Sequence, residues 1–283
     1  MAERFTATTP GSVARTTKPQ SLHETGQQLW GPVRSVLQEN FSFGDIKIIV
    51  GTTGFDMGRL AHLEQKPTGG ATKSQLLSAV DQAYAGYQEE GKWHFVGTIM
   101  EEMLQRQKDL TARLEEVLSR VGWSIVEGHP LPRRLLDGSE LQEIPTEGQL
   151  DMIKAASRFR DQDLSGTISA ACGAVDSVTG RIYKEQNLGD PAGAAFQERV
   201  TRSITASGVL NAVETDLISI GWDKNRAERL IQNLRGSLNQ ATYVMQTLRS
   251  DMGDVHGSKT ALRSLVFDSL QLSKLIVGLL RPR

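Results

Sequence analysis

From Leu76 to Leu279 the chain repeats one pattern: apolar residues three and four positions apart, in successive runs broken by Gly, Pro and Asn. Such a period matches the 3.6-residue turn of an α-helix and not the two-residue alternation of a strand. Leu76, Leu77, Val80, Ala83, Tyr84 and Tyr87 form one stripe. Phe95, Val96, Ile99, Met100, Met103 and Leu104 form a second, and Leu110, Leu114, Val117, Leu118 and Val121 a third. Further on, Ile168, Ala171, Val175, Val178 and Ile182 make a long stripe that stops at Asn187-Leu188-Gly189-Asp190-Pro191. Val209, Leu210, Val213 and Leu217 follow, stopped at Gly221-Trp222. Leu230, Ile231, Leu234, Leu238, Met245 and Leu248 come next, and Leu262, Leu265, Val266, Leu272, Ile276 and Leu279 come last. Helices with one apolar face each must bury those faces against one another. The fold class read from this is all-α.

The breaks divide the chain. Residues 1–27 are rich in Thr, Ser, Pro and Gly without a period and read as a mobile tail. Residues 28–126 read as a helical module, in which the run Ile46-Lys47-Ile48-Ile49-Val50 fits either a short strand or a buried helical turn. Residues 127–145 hold three of the nine prolines and read as a linker. Residues 146–283 read as a four-helix bundle, restarting at a candidate cap, Thr146-Glu147-Gly148-Gln149.

Composition narrows the function classes. The formal net charge is -1, so this is no general polyanion binder. Residues 151–283 nevertheless carry 17 Lys and Arg against 14 Asp and Glu, while residues 1–150 carry 15 against 19, which suits the second half better to a phosphate ligand. The single cysteine, Cys172, excludes an internal disulfide and a Cys-rich metal cluster, and its apolar neighbours point to a buried thiol. Residues 1–20 lack the apolar stretch of a signal peptide. The segment Leu262–Leu280 is interrupted by Arg263, Asp268 and Lys274, so no membrane span is expected. A cytoplasmic location fits these readings.

Between the last two stripes lies Leu248-Arg249-Ser250-Asp251-Met252-Gly253-Asp254-Val255-His256-Gly257. Arginine holds a phosphate through a planar fork of donors. Histidine moves protons near neutral pH. Together, Arg249 and His256 have the chemistry to cleave RNA without a metal. A plainer alternative makes Arg249 and Asp254 helix-end caps, with Arg249 complementing the C-terminal dipole.

An arginine, six residues, then a histidine framed by Gly253, Asp254 and Gly257 before a final apolar helix resembles the C-terminal domain of abortive-infection proteins, a branch of the HEPN superfamily. The run from Ala171 to Val178 is similar to that family's first long helix, with Asp176 at its acidic position. The resemblance covers roughly residues 150–283. It departs at Ser250, where the family usually has asparagine or another strongly polar residue, although a serine also donates and accepts hydrogen bonds.

What the resemblance implies is a HEPN-like bundle acting as a metal-independent endoribonuclease with no cofactor, as an antiphage or toxin-type activity on cellular RNA such as tRNA. His256 would be the general base or acid and Arg249 the phosphate-binding group. Ser250, Asp251, Asp254, Asp176, Gly253 and Gly257 would support them, Asp251 or Asp254 by fixing the imidazole tautomer or the arginine rotamer. It also implies a homodimer with facing Arg–His loops. The acidic N-terminal module would then meet a trigger or an antitoxin partner. The alternative is a non-catalytic HEPN-fold module that binds a nucleotide, RNA or a protein.

Other candidates carry less. His62 and His94 sit among apolar residues and read as partly buried structural histidines. His129 precedes Pro130 and reads as a solvated linker residue without a partner. Gly69-Gly70-Ala71-Thr72-Lys73-Ser74 lacks the spacing of a phosphate-binding loop. Arg226, Arg229 and Arg235 read as a solvated helix face.

Overall fold

The structure, a computed structural model, describes residues 26–66, 68–255 and 257–282. Most of the expected tail and His256 itself lie outside the described residues. The fold is mainly helical. Its elements are α1 (Gly26–Asn40), α2 (Phe43–Thr52), α3 (Lys73–Ala85), α4 (Glu89–Arg106) and α5 (Thr111–Ser119). A hairpin of β1 (Trp123–Val126) and β2 (His129–Pro132) follows, then α6 (Gly138–Gln142) and α7 (Thr146–Arg160). The chain continues through α8 (Leu164–Glu185), α9 (Phe196–Ala206), α10 (Val209–Ser219), α11 (Lys224–Met252) and α12 (Arg263–Leu279). Among the described residues no helix is long and apolar enough to cross a membrane.

The ambiguous run Ile46–Val50 is helical, within α2. Its start is fixed by a capping box: the Ser42 hydroxyl accepts from the Asp45 N–H, and the Asp45 carboxylate accepts from the Ser42 N–H. The same device opens α3 with Thr72 and Gln75. At α7 the expected side-chain cap is absent; Pro145 precedes the helix, and the Gln149 amide instead donates to the carbonyls of Leu141 (3.2 Å) and Ile144 (2.9 Å).

Residues 127–145 are folded rather than extended. Glu127 (φ 49°) and Gly128 (φ 83°) supply the two positive φ values of a tight hairpin turn, and Val126 pairs with His129 across it. Pro130 and Pro132, which suggested a linker, sit in β2, whose partner is β1. Leu131, Leu135, Leu136, Leu141 and Ile144 are buried in an apolar core that runs continuously from Leu29 to Leu280. Each fully buried aliphatic side chain of this kind contributes about 1.5–3 kcal/mol.

At the centre of the second half, α8 is buried on several sides, which its small residues permit. A Cβ on Gly148 of α7 would lie 2.9 Å from Val178 of α8, and the Ser273 hydroxyl of α12 donates to the Ala171 carbonyl at 2.7 Å. From α12, Val266, Leu270, Ile276 and Val277 are buried, while Leu275 and, just before the helix, Leu262 are exposed. Among the described residues, 146–283 hold six helices, α7 to α12, where a four-helix bundle was expected; the unexpected α9 buries Phe196, Val200 and Ile204 at helical spacing.

A polar cluster joins the two halves. Arg160, at the end of α7, is 1% exposed. It donates to both carboxylate oxygens of Asp161 (2.8 Å each), to Glu101 of α4 (3.0 Å) and to the Pro130 carbonyl of β2 (2.9 Å). His94 of α4 sits on Asp161 (3.2 Å) and His129 on Glu101 (3.1 Å), both through Nδ1. The expectation of a partnerless His129 is therefore corrected: the hairpin brings it to α4. Burial opposes charge on Glu101 and Asp161, but the hydrogen bonds from His129, His94 and Arg160 outweigh it and hold both carboxyls below their ordinary range. His94 is partly buried as expected, whereas His62 is exposed.

Candidate functional site

After α11 ends at Met252, Gly253 to Val255 lead away from it, and Asp254 meets Ser169 near the start of α8. Arg249 occupies the last turn of α11. Its guanidinium donates through Nη1 to Asp176 of α8 at 2.7 Å, and it lies over the Phe196 ring of α9, 5.9 Å from the centroid. The other Asp176 oxygen accepts from Arg199 of α9 at 2.6 Å. One carboxylate thus bridges two guanidiniums. Burial disfavours the charged form of Arg249, but the Asp176 hydrogen bond and charge outweigh it, so its pKa lies above the ordinary value.

The loop that follows is tied down from α7 and α8. Asp254 accepts a short hydrogen bond from the Ser169 hydroxyl, and its own N–H meets Ser169 Oγ at 3.2 Å. The second Asp254 oxygen accepts from Arg158 at 3.3 Å, and Arg158 also lies 3.6 Å from Asp163. Asp251 pairs with Lys259 at 2.6 Å, and the Lys259 N–H donates to the Asp251 carbonyl. Gly253 N–H closes on the Arg249 carbonyl and Gly257 N–H on the Gly253 carbonyl. A Cβ on Gly253 would stand 2.5 Å from the Arg249 oxygen and 3.2 Å from Ser169 Oγ, so glycine is needed for close approach rather than for an unusual φ.

Of the sequence-predicted residues, the fold brings Asp176 to Arg249 across 73 positions of sequence. It is Asp176, not Asp251 or Asp254, that fixes the arginine rotamer; those two engage Lys259, Ser169 and Arg158. Gly253 and Gly257 form the turn. Ser250 is exposed and makes no hydrogen bond among the described side chains. His256 lies outside the described residues. Of the plainer alternative, the dipole half holds, because Arg249 is the basic residue in the last turn of α11; the capping by Asp254 does not, because Asp254 goes to Ser169 and Arg158, and α12 starts after Leu262 without a side-chain cap.

Three participants escaped the sequence reading: Arg199, Ser169 and Arg158. The Phe196, Val200 and Ile204 stripe of α9 was the signal that would have placed Arg199 beside a buried face. For Ser169 and Arg158 there was no local signal, since each acts through a tertiary contact. Cys172, one turn before Asp176, is buried, and burial pushes its thiol up to about 12 against the opposing pull of Arg249, so it is no thiolate nucleophile at neutral pH. Arg226, Arg229 and Arg235 are exposed, as expected. An open groove bordered by Arg59, His62, Ser74 and Gln75 belongs to the N-terminal module and takes in none of the Arg249 loop.

No protein family, curated protein or solved structure matches this chain.

Proposed function

We propose that the chain is a metal-independent endoribonuclease of the abortive-infection type, a HEPN-like bundle with Arg249 and His256 at its reacting centre. The observation that carries this reading is a partly exposed guanidinium, anchored through one nitrogen on Asp176, beside the glycine turn at 253–257. In the reaction the ribose 2′-oxygen attacks the adjacent phosphorus and the bond to the 5′-oxygen breaks. The products carry a 2′,3′-cyclic phosphate and a 5′-hydroxyl. Arg249 binds the non-bridging oxygens and stabilises the charge that builds on them. His256 takes the 2′-hydroxyl proton or delivers one to the leaving oxygen. Asp176 is a positioning residue, and the Ser169–Asp254–Arg158 contacts hold the chain at Asp254, two residues before His256 in sequence.

Within this reading the substrate is cellular RNA such as tRNA, in the cytoplasm, and the working form is a homodimer with facing loops. The N-terminal module meets a trigger or a neutralising partner. One feature favours the rival, a non-catalytic module for a nucleotide, RNA or protein: Arg249 is already ion-paired.

Cleavage of total RNA by the purified full chain in EDTA separates the two. The nuclease reading expects cutting with cyclic-phosphate ends. It also expects Arg249→Ala and His256→Ala each to lose at least about 100-fold while remaining folded. Variants that cut as well as the parent would remove this loop from the chemistry.

A further inference from the structure

Resting on the proposed phosphate-binding role of Arg249, we infer that this site's charge is set by the triple Arg199–Asp176–Arg249 and that it fits an internal phosphodiester in preference to a terminal phosphate. Two guanidiniums share one carboxylate, each on its own oxygen, at 2.6 and 2.7 Å. The triple therefore keeps one uncompensated positive charge. An internal phosphodiester carries one negative charge, whereas a terminal phosphate carries about -1.5 to -2 at neutral pH.

The far end of the site disfavours the surplus. There Asp254 and Asp163 share a single arginine, Arg158, leaving a net negative charge beside the Ser169 hydroxyl. A ligand with more than one charge at the reacting phosphate would face that end unbalanced.

Arg199 and Arg249 divide the work. The Arg249 side chain is 41% exposed, and its single hydrogen bond among the described residues uses Nη1, so Nε and Nη2 are left for a ligand. The Arg199 side chain is 16% exposed, its Nε is buried without an acceptor, and its remaining contact, to the Pro191 carbonyl, is long at 3.5 Å. Arg199 is too enclosed to reach a ligand. It acts as a positioning residue by taking half of Asp176, so that Arg249 is held without being neutralised. Its removal would leave Asp176 and Arg249 as a closed pair.

Substitutions change this charge in steps. Relative to the parent at +1, Arg199→Gln gives 0, Arg199→Lys keeps +1 and Asp176→Asn gives +2. The test is fluorescence anisotropy of the full chain with a labelled 2′-O-methyl oligoribonucleotide without terminal phosphates, which lacks the attacking hydroxyl and reports binding alone. Inorganic phosphate and the same oligonucleotide with a 5′-phosphate serve as competitors.

Arg199→Gln is expected to weaken binding about tenfold, the value of roughly one charge-assisted hydrogen bond. Arg199→Lys should stay within about threefold of the parent, since it keeps the charge. In Asp176→Asn, inorganic phosphate should compete about tenfold better than against the parent. A 5′-phosphate should give the parent no advantage. Equal binding by Arg199→Gln, failure of Arg199→Lys at unchanged thermal stability, preference for the 5′-phosphate, or no binding by the parent would each overturn the inference. Should Arg199→Gln not fold, the Arg199→Lys and Asp176→Asn arms still decide. A parent that binds in this order yet leaves unmodified RNA intact would refute the nuclease reading and leave the charge assignment standing.

Discussion

Replacing Arg160 by Met removes the guanidinium that holds α4, the hairpin and α7 together. Four hydrogen bonds of 2.8–3.0 Å disappear, three of them to the carboxylates of Asp161 and Glu101. Breaking a buried ion pair by deleting one partner costs about 3–5 kcal/mol, because the other charge stays behind. Here the carboxylates retain His94 and His129 and are 29% and 24% exposed, so the lower end, about 3 kcal/mol, is expected. That is a large part of a typical stability of about 5–15 kcal/mol. Urea unfolding should report it as a lower midpoint at unchanged slope, and heating as a midpoint lower by about 6–12 °C. Acid gives an independent reading. Both carboxyls sit below their ordinary range in the folded chain, so their stabilisation is present above the unfolded carboxyl pKa and is lost as pH falls through the folded one. In Arg160→Met that acid loss should be shallower, because the folded values return toward ordinary ones. A destabilisation under about 1 kcal/mol, no larger than that of a surface pair, would refute the claim that this arginine clasps the halves.

Two further outcomes follow from the loop and from α8. Gly253→Ala would press a methyl against the Arg249 carbonyl and Ser169, so about 1–3 kcal/mol of overpacking is expected; it should appear as faster hydrogen exchange at the Asp254 N–H. Unchanged exchange would mean the turn yields freely. Cys172, with its thiol pushed up to about 12, should react with a disulfide reagent at pH 8 roughly 1000-fold more slowly than a free thiol until the chain unfolds. Rapid modification of the folded chain would contradict its burial.

The helical character was legible because each amphipathic helix carries its own period, a local property. The stripes from Leu76, Phe95, Ile168 and Leu230 fall on α3, α4, α8 and α11. So was the break between α11 and α12, although Arg249 itself lies before it, in the last turn of α11, where its guanidinium meets Asp176 at 2.7 Å. Local chemistry was also enough, in principle, for α2: Ser42 and Asp45 form a capping box that outweighs the strand propensity of Ile46–Val50. The hairpin was missed because its prolines look like linker, while the Glu127-Gly128 turn and the burial of Leu131 and Leu135 depend on what packs above them.

What tertiary structure alone decided is which charges meet. Arg160 becomes a buried clasp only when α4 and β2 close over it, and Gly97 is the residue that lets α4 come close, since a Cβ there would lie 2.7 Å from its Nε. Arg199 joins Asp176 and Arg249 because α9 docks against α8 and α11. Periodicity fixes which face of a helix is buried, because that depends on neighbours along the chain. Pairing among side chains at helix ends depends on docking angles and distances set by the whole core, and no single segment carries that information.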